Sequence, residues 1–239
     1  MAVISRDLSA SLRSRFGAQL LQEEPHVVIA PASPETVQGA VEVARREHLR
    51  ILPLGSGSSF PVTYSRLRPD TMGILMGALE GESGGDAFSS WFWAGTKLHR
   101  LASSYPGIFT GEGQRATLGG LIAAKPEAPL GSARRLLKRL LMSMEILTAA
   151  GNLEMFAGEG TGTINNPAVS HLLFGSQGRL GIILRVRLRR VMPPDTEPVQ
   201  LPESQETTLA VSTGQPALQW SQLQALLDPG GLFAWRADH

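Results

Sequence analysis

Three glycine clusters, each beside a strand-like run, constrain this chain more than any other feature: ILPLGSGSSF (51–60), GEGQRATLGGLIAA (111–124) and FGSQGRLGII (174–183). Glycine lets successive backbone N–H groups turn inward and approach a ligand closely, where a side chain would block the way. In the first cluster Gly55 and Gly57 match the opening of a dinucleotide fingerprint. Phe60 then stands where the third glycine is needed and Pro61 follows it, so no Rossmann helix starts there. No Gly-Lys-Ser/Thr follows either, which excludes a Walker loop. What remains is a plain turn or a compact anion nest, in which Ser56, Ser58 and Ser59 add hydroxyl donors. Taken together, the three clusters would line one long, phosphorylated ligand.

The segments between the clusters read as mixed α and β structure. Leu8, Leu12, Phe16 and Leu20 recur at four-residue intervals, predicting one amphipathic helix over residues 5–22. A β run over His26–Ala30 is followed by Ser33 and Pro34, the N-cap and first residue of a helix that carries Val37, Val41 and Ala44 on one face. With the strand ILPL this makes a β-α-β unit. Residues 71–124 hold strands at MGILM and SSWFWAG and a short helix from about Thr96 to Ser103. A basic helical stretch then leads to a strand over Met144–Thr148, a turn at 150–152 and a returning strand. In the last strand Ile183, Arg185, Arg187 and Arg189 should share one face, with Leu184, Val186, Leu188 and Arg190 on the other.

Composition removes several function classes. The chain of 239 residues has a net charge of +1, without the basic excess that DNA-backbone binding needs, so no nucleic-acid partner is expected. It contains no cysteine, which excludes disulfides, thiolate metal sites and cysteine nucleophiles, and no metal is expected on this chain. No stretch reaches roughly 18 uncharged apolar residues, so no transmembrane segment is expected. His26, His48, His99, His171 and His239 have no recognisable catalytic partner in the sequence, and the catalytic residues stay unassigned. Arg134, Arg135, Lys138 and Arg139 read either as a solvated helix face or as cations facing a ligand phosphate, a substrate carboxylate or a partner subunit, Arg185, Arg187 and Arg189 as a solvent or interface side, and Trp91 and Trp93 as core residues.

The ordered set APASPETV, ILPLGSGSSF, WAGTKLHRL, ATLGGLIAA, GSQGRLGIILRVRLRRV and LLDPGGLF resembles flavoproteins with the PCMH-type (vanillyl-alcohol-oxidase) FAD-binding domain. Within that family it is most similar to the smaller FAD-binding subunits of bacterial glycolate oxidases. The resemblance implies an α+β, two-subdomain PCMH-type FAD-binding fold. Residues 1–192 would form the FAD-binding domain, with subdomains at about 1–70 and 71–192. Residues 193–214 would be a linker in place of a substrate cap, and 215–239 a C-terminal helix and tail packing back. The resemblance further implies that Gly55, Ser56, Gly57, Ser58 and Ser59 wrap the pyrophosphate, with Pro53 and Leu54 also binding the cofactor. Gly113, Thr117, Leu118, Gly119 and Gly120 would lie along the ribityl chain and flavin, and Gly181, Ile182 and Ile183 would meet the adenine end.

No histidine stands in the first glycine loop, where covalently loaded relatives place one, so FAD is expected to be non-covalent. The subunit's Gly-Pro-Arg-Arg is replaced here by APLG (128–131), and its Lys-Asn and Gly-Tyr-Asp by GT (162–163) and NPA (166–168). The implied role is to hold flavin for electron transfer in a 2-hydroxy-acid (glycolate-like) oxidase or dehydrogenase. Its implied partners are a larger flavoprotein subunit and an iron–sulfur subunit, in the cytoplasm, with peripheral attachment to the inner membrane through them. The alternative is a non-catalytic scaffold subunit of such a complex that has lost FAD.

Overall fold

Ser33 accepts a hydrogen bond from the Thr36 amide at 3.3 Å and starts helix α2 (Pro34–Arg46), as the Ser-Pro pair predicts. The computed structural model describes residues 6–23, 27–56, 70–105, 109–110, 115–124, 131–157, 172–190, 199–200 and 224–233. α2 buries Val37, Ala40, Val41, Val43 and Ala44, and ends where His48 adopts a left-handed φ of 55° and the Leu49 amide reaches back to the Ala44 carbonyl at 2.8 Å. β3 (Arg50–Leu54) follows and pairs in parallel with β4 (Thr71–Leu75), which pairs in parallel with β2 (Val27–Ile29). β1 (Leu20–Gln22) adds an antiparallel edge, giving the order β1-β2-β4-β3. This first sheet therefore extends to Leu75.

Helix α1 (Arg6–Phe16) is shorter than its apolar spacing predicts. Leu8, Leu12 and Phe16 are buried against α2 and the sheet. Gly17 then takes a φ of +49° and breaks the helix, so Leu20, in phase with the others, begins β1 instead.

The second sheet is antiparallel throughout: β5 (Glu82–Gly85), β6 (Ser89–Trp93), β8 (Leu141–Leu147), β9 (Leu153–Ala157) and β10 (Ile182–Arg189), in the order β5-β6-β10-β8-β9. Helices α3 (Leu118–Ala123) and α4 (Gly131–Leu140) share a core with the faces of Phe92, Met144, Ile146, Val186 and Leu188. β7 (Phe109–Thr110) pairs in parallel with β11 (Val199–Gln200), so the stretch expected as a linker contains a short strand.

The alternation expected in β10 fails at one place. The register shifts between Ile183 and Arg185, where a bulge lets Ile183 join the second core with Val186 and Leu188 while Leu184 joins the first. Beyond the bulge Arg185 and Arg187 share a face as expected, but they are tied to their own sheet. Arg185 pairs with Glu145 at 2.6 Å and lies 4.7 Å over the Trp91 ring, and Arg187 pairs with Asp86 at 2.6 Å. Trp93, in contrast, packs against the first core. In α4, Arg135 and Arg139 are exposed, but Arg134 is buried and donates from Nε to the Leu121 carbonyl at 3.2 Å. A solvated face is therefore the wrong reading for Arg134, which satisfies a carbonyl in the last turn of α3.

The two sheets are stapled from the far end of the sequence. Residues 224–227 form a helical turn, after which the buried Asp228 accepts from the Leu232 amide at 2.6 Å and the Phe233 amide at 2.9 Å. The Leu232 carbonyl accepts from the Ile51 amide at 2.6 Å, Phe233 enters the first core, and the Leu227 carbonyl accepts from Ala149 beyond β8 at 3.2 Å. Burial pushes the Asp228 carboxyl above its ordinary pKa, against the pull of the two amides and of Arg50. Asp228→Asn keeps the shape but sets an amide donor against a backbone N–H. It should cost about 1–3 kcal/mol, read as a lower midpoint of urea unfolding.

Candidate functional site

Parallel strands present their carboxyl ends to ligands in open α/β sheets, and here a cleft opens beside that end of β3 and β4. Pro53, Leu54 and Gly55 enter it from β3, and Met76 from just beyond β4. Thr117, Gly119, Gly120 and Ala123 come from α3, Ala94 from the end of β6, and Ser176, Gly178, Gly181, Ile182 and Ile183 from the last glycine loop and β10. Three sequence-distant glycine segments thus converge on one space.

Small residues let these walls approach. A Cβ built on Gly55 would lie 2.3 Å from Thr117 Oγ1, so the end of β3 meets the N-cap of α3 only because position 55 lacks a side chain. Gly178 has a φ of +74°, and a Cβ there would lie 3.0 Å from Pro53 Cδ. The last loop is anchored to α3 by the Gly175 and Gln177 amides, which donate to the Ile122 and Ala123 carbonyls at 2.9 and 2.8 Å.

The first turn of α3 does not point spare donors at a ligand. Leu118 N–H donates to Thr96 O and Gly119 N–H to Ala94 O, both at 2.8 Å, while Gly120 N–H is capped by Thr117 Oγ1 at 3.2 Å. The Leu118 side chain is fully buried in the second core, because it faces inward from the N-terminal turn of α3. The Ser56 hydroxyl donates to the Arg115 carbonyl. Gly57, Ser58, Ser59 and Gly113 lie outside the described residues, as do 128–130, 162–163 and 166–168.

Among the described residues the cleft wall is apolar apart from backbone groups and the hydroxyls of Thr117 and Ser176, and none of the lining residues is titratable. Such a wall suits a ligand with a large flat apolar portion, held by backbone groups and shape. At Gly55, Gly120 and Gly178 the walls close directly on one another, and the cleft they enclose, lined by backbone and apolar groups, fits a long cofactor such as FAD. Sequence reasoning missed Met76, Ala94 and Ala123, which carry no chemical signature, and passed over Ser176 and Gly178 although both stand in the third glycine cluster. Among the described residues no cluster of metal-ligating side chains occurs, and no helix is long and apolar enough to cross a membrane.

Comparison with known proteins agrees with this geometry. No curated protein matches the chain in sequence. Two solved structures of alkyldihydroxyacetonephosphate synthase, in P212121 and in P1, share its fold with TM-scores of 0.52 and 0.51 and 22% identity. The alignments cover 68% of this chain but only 31% and 32% of those proteins, so the chain spans less than a third of their length. The family model described as FAD binding domain matches residues 25–156, more than half of the chain, from β2 through β9. With the glycine segments gathered on one cleft, the protein belongs to the FAD-binding domain family and its cofactor is FAD.

Proposed function

We propose that this chain is a non-covalently loaded FAD-holding subunit of a 2-hydroxy-acid (glycolate-like) oxidase or dehydrogenase, working with a larger flavoprotein subunit and an iron–sulfur subunit. The observation that carries the reading is the convergence of the 53–55, 117–123 and 176–183 segments on one cleft at the carboxyl end of β3. Bound there, FAD would supply a two-electron acceptor that can pass electrons on singly. The residues of this chain hold and enclose it. The Gly55 and Gly120 backbones form facing walls, Thr117 and Ser176 offer hydroxyls, and Met76, Ala94 and Ile183 exclude water from an apolar surface. A hydroxy acid also needs a base for its hydroxyl proton. The described cleft wall has no titratable group, so this reading assigns proton transfer to a partner subunit.

Purification and absorption spectroscopy test the proposal. The expected result is a yellow protein whose flavin, about one equivalent per chain, is released as free FAD on denaturation and reduced by glycolate only in the presence of the larger subunit. A colourless protein that binds no added FAD would instead be the scaffold form. Glycolate-dependent dye reduction by this chain alone would overturn the subunit role.

A further inference from the structure

The staple of residues 224–233 grips both strands that carry the cleft walls. On one side the Ile51 amide donates to the Leu232 carbonyl at 2.6 Å and Arg50 Nη1 to the Gly231 carbonyl at 2.7 Å. Both contacts fall on the first half of β3, whose last residues, Pro53 and Leu54, enter the cleft with Gly55. On the other side the Ala149 amide donates to the Leu227 carbonyl at 3.2 Å, just beyond Leu147 at the end of β8. Leu147 stands opposite Ile182 in the β8–β10 ladder, and its carbonyl oxygen would lie 2.9 Å from a Cβ on Gly181. Gly181 and Ile182 both line the cleft. The side chains divide in the same way, with Leu227 buried in the second core and Phe233 in the first.

Between these grips the segment is braced. Asp228 holds the Leu232 and Phe233 amides with its two carboxylate oxygens, its own amide donates to the Gln224 carbonyl at 2.7 Å, and the Gly231 amide donates to the Asp228 carbonyl at 3.1 Å. The spacing of β3 from the end of β8 is thus set by a piece of chain that lies outside both sheets. It can detach while β3 stays paired with β4 and β8 with β10, an opening that costs less than global unfolding. A ligand that touches both walls binds best at one spacing, and it shifts the docking equilibrium by its differential affinity for the docked and detached states. We propose that residues 224–233 are a strap that fixes the width of the cleft from behind, so that strap docking and FAD binding favour each other. The inference rests on the FAD reading above.

Amide hydrogen exchange on the full chain, stripped of flavin and then titrated with FAD, tests the coupling. Linkage is reciprocal, so FAD should slow exchange of the Ile51, Leu232 and Phe233 amides about fivefold or more, the factor by which the detached state binds it more weakly. That slowing should level off once the cleft is full. Amides of the β8–β10 ladder that open only when the whole chain unfolds should instead keep slowing as FAD is raised. Asp228→Asn and Phe233→Ala should each weaken FAD about fivefold or more in chains whose circular dichroism is that of the wild type, and Phe233→Leu should recover most of the affinity. Strap amides that exchange equally fast with and without FAD overturn the proposal, as does unchanged FAD affinity in a folded Phe233→Ala chain. So do strap amides that slow without limit in step with the ladder, since the segment then opens only with the whole protein. If Phe233→Ala does not fold, the wild-type exchange decides. A wild-type chain that binds no FAD brings down the FAD reading itself, and this inference with it.

Discussion

Gly55→Ala is expected to empty the cleft of flavin and to cost about 2–3 kcal/mol of stability. The added methyl would sit 2.3 Å from Thr117 Oγ1, an atom that cannot swing away freely because it caps Gly120 at the start of α3. The chain must either part β3 from α3, which widens the cofactor wall, or give up the cap. Thr117→Ala alone should cost about 1 kcal/mol, the usual worth of an N-cap. In the double variant the methyl meets nothing closer than the position of the Thr117 Cβ, 3.4 Å away, and the Gly120 Cα, 3.6 Å away. The double variant should therefore be more stable than the sum of the two single losses predicts, by about 1 kcal/mol or more. Urea midpoints and flavin content for the four proteins measure this coupling. Strict additivity would show that the two segments do not meet in the way described.

Gly95→Ala should be the more damaging change to the fold. Gly95 lies in the turn that leaves β6, where its amide donates to the Leu79 carbonyl at 3.0 Å. A Cβ there would fall 1.9 Å from the Met76 carbonyl oxygen and 2.6 Å from that of Leu79. Both are backbone atoms, so no rotamer relieves the overlap, and the two sheets have to separate at their junction. A loss of about 3 kcal/mol or more is expected, which for a chain of this size lowers Tm by roughly 6 °C or more. Met76 and Ala94 line the cleft on either side of this contact, so flavin retention should fall as well. Gly230→Ala, where the new atom meets nothing within 4 Å, is the control and should stay within about 0.5 kcal/mol of the wild type. A Gly95→Ala protein that melts with the control would refute the close approach.

Local chemistry made part of this structure legible in the sequence. Ser33-Pro34 and the spacing of Val37, Val41 and Ala44 encode α2 within a few residues of chain, so the β-α-β unit could be read directly. The glycine clusters were legible for the same reason, because a backbone that must approach something closely leaves its mark in residue type. What escaped depends on partners distant in sequence. The bulge at Leu184 is decided by registry against β8 and reverses an alternation that the strand alone would keep. Leu20 fits the phase of α1, yet Gly17 and the pairing with Ile29 place it in a strand. Leu118 sits between cleft residues in sequence, but the tight turn of α3 directs it to the core. Arg134 reads as one of four surface cations, and only the fold shows that Leu121 lies beneath it.

The staple formed by Asp228, Leu232 and Phe233 bears on how the protein is made. A chain leaves the ribosome N-terminus first, and domains that need only their own residues can fold as they emerge. The first core does not have that freedom, because Phe233 fills it and Leu232 bonds to β3. Helix α1 and the first sheet must wait, incompletely packed, while the second sheet is synthesised, and they close only when the residues around 230 arrive. Closure over so long a span of sequence is slow. During that interval β3 has its edge uncovered, which makes the nascent chain, rather than the finished protein, the species most in need of a chaperone.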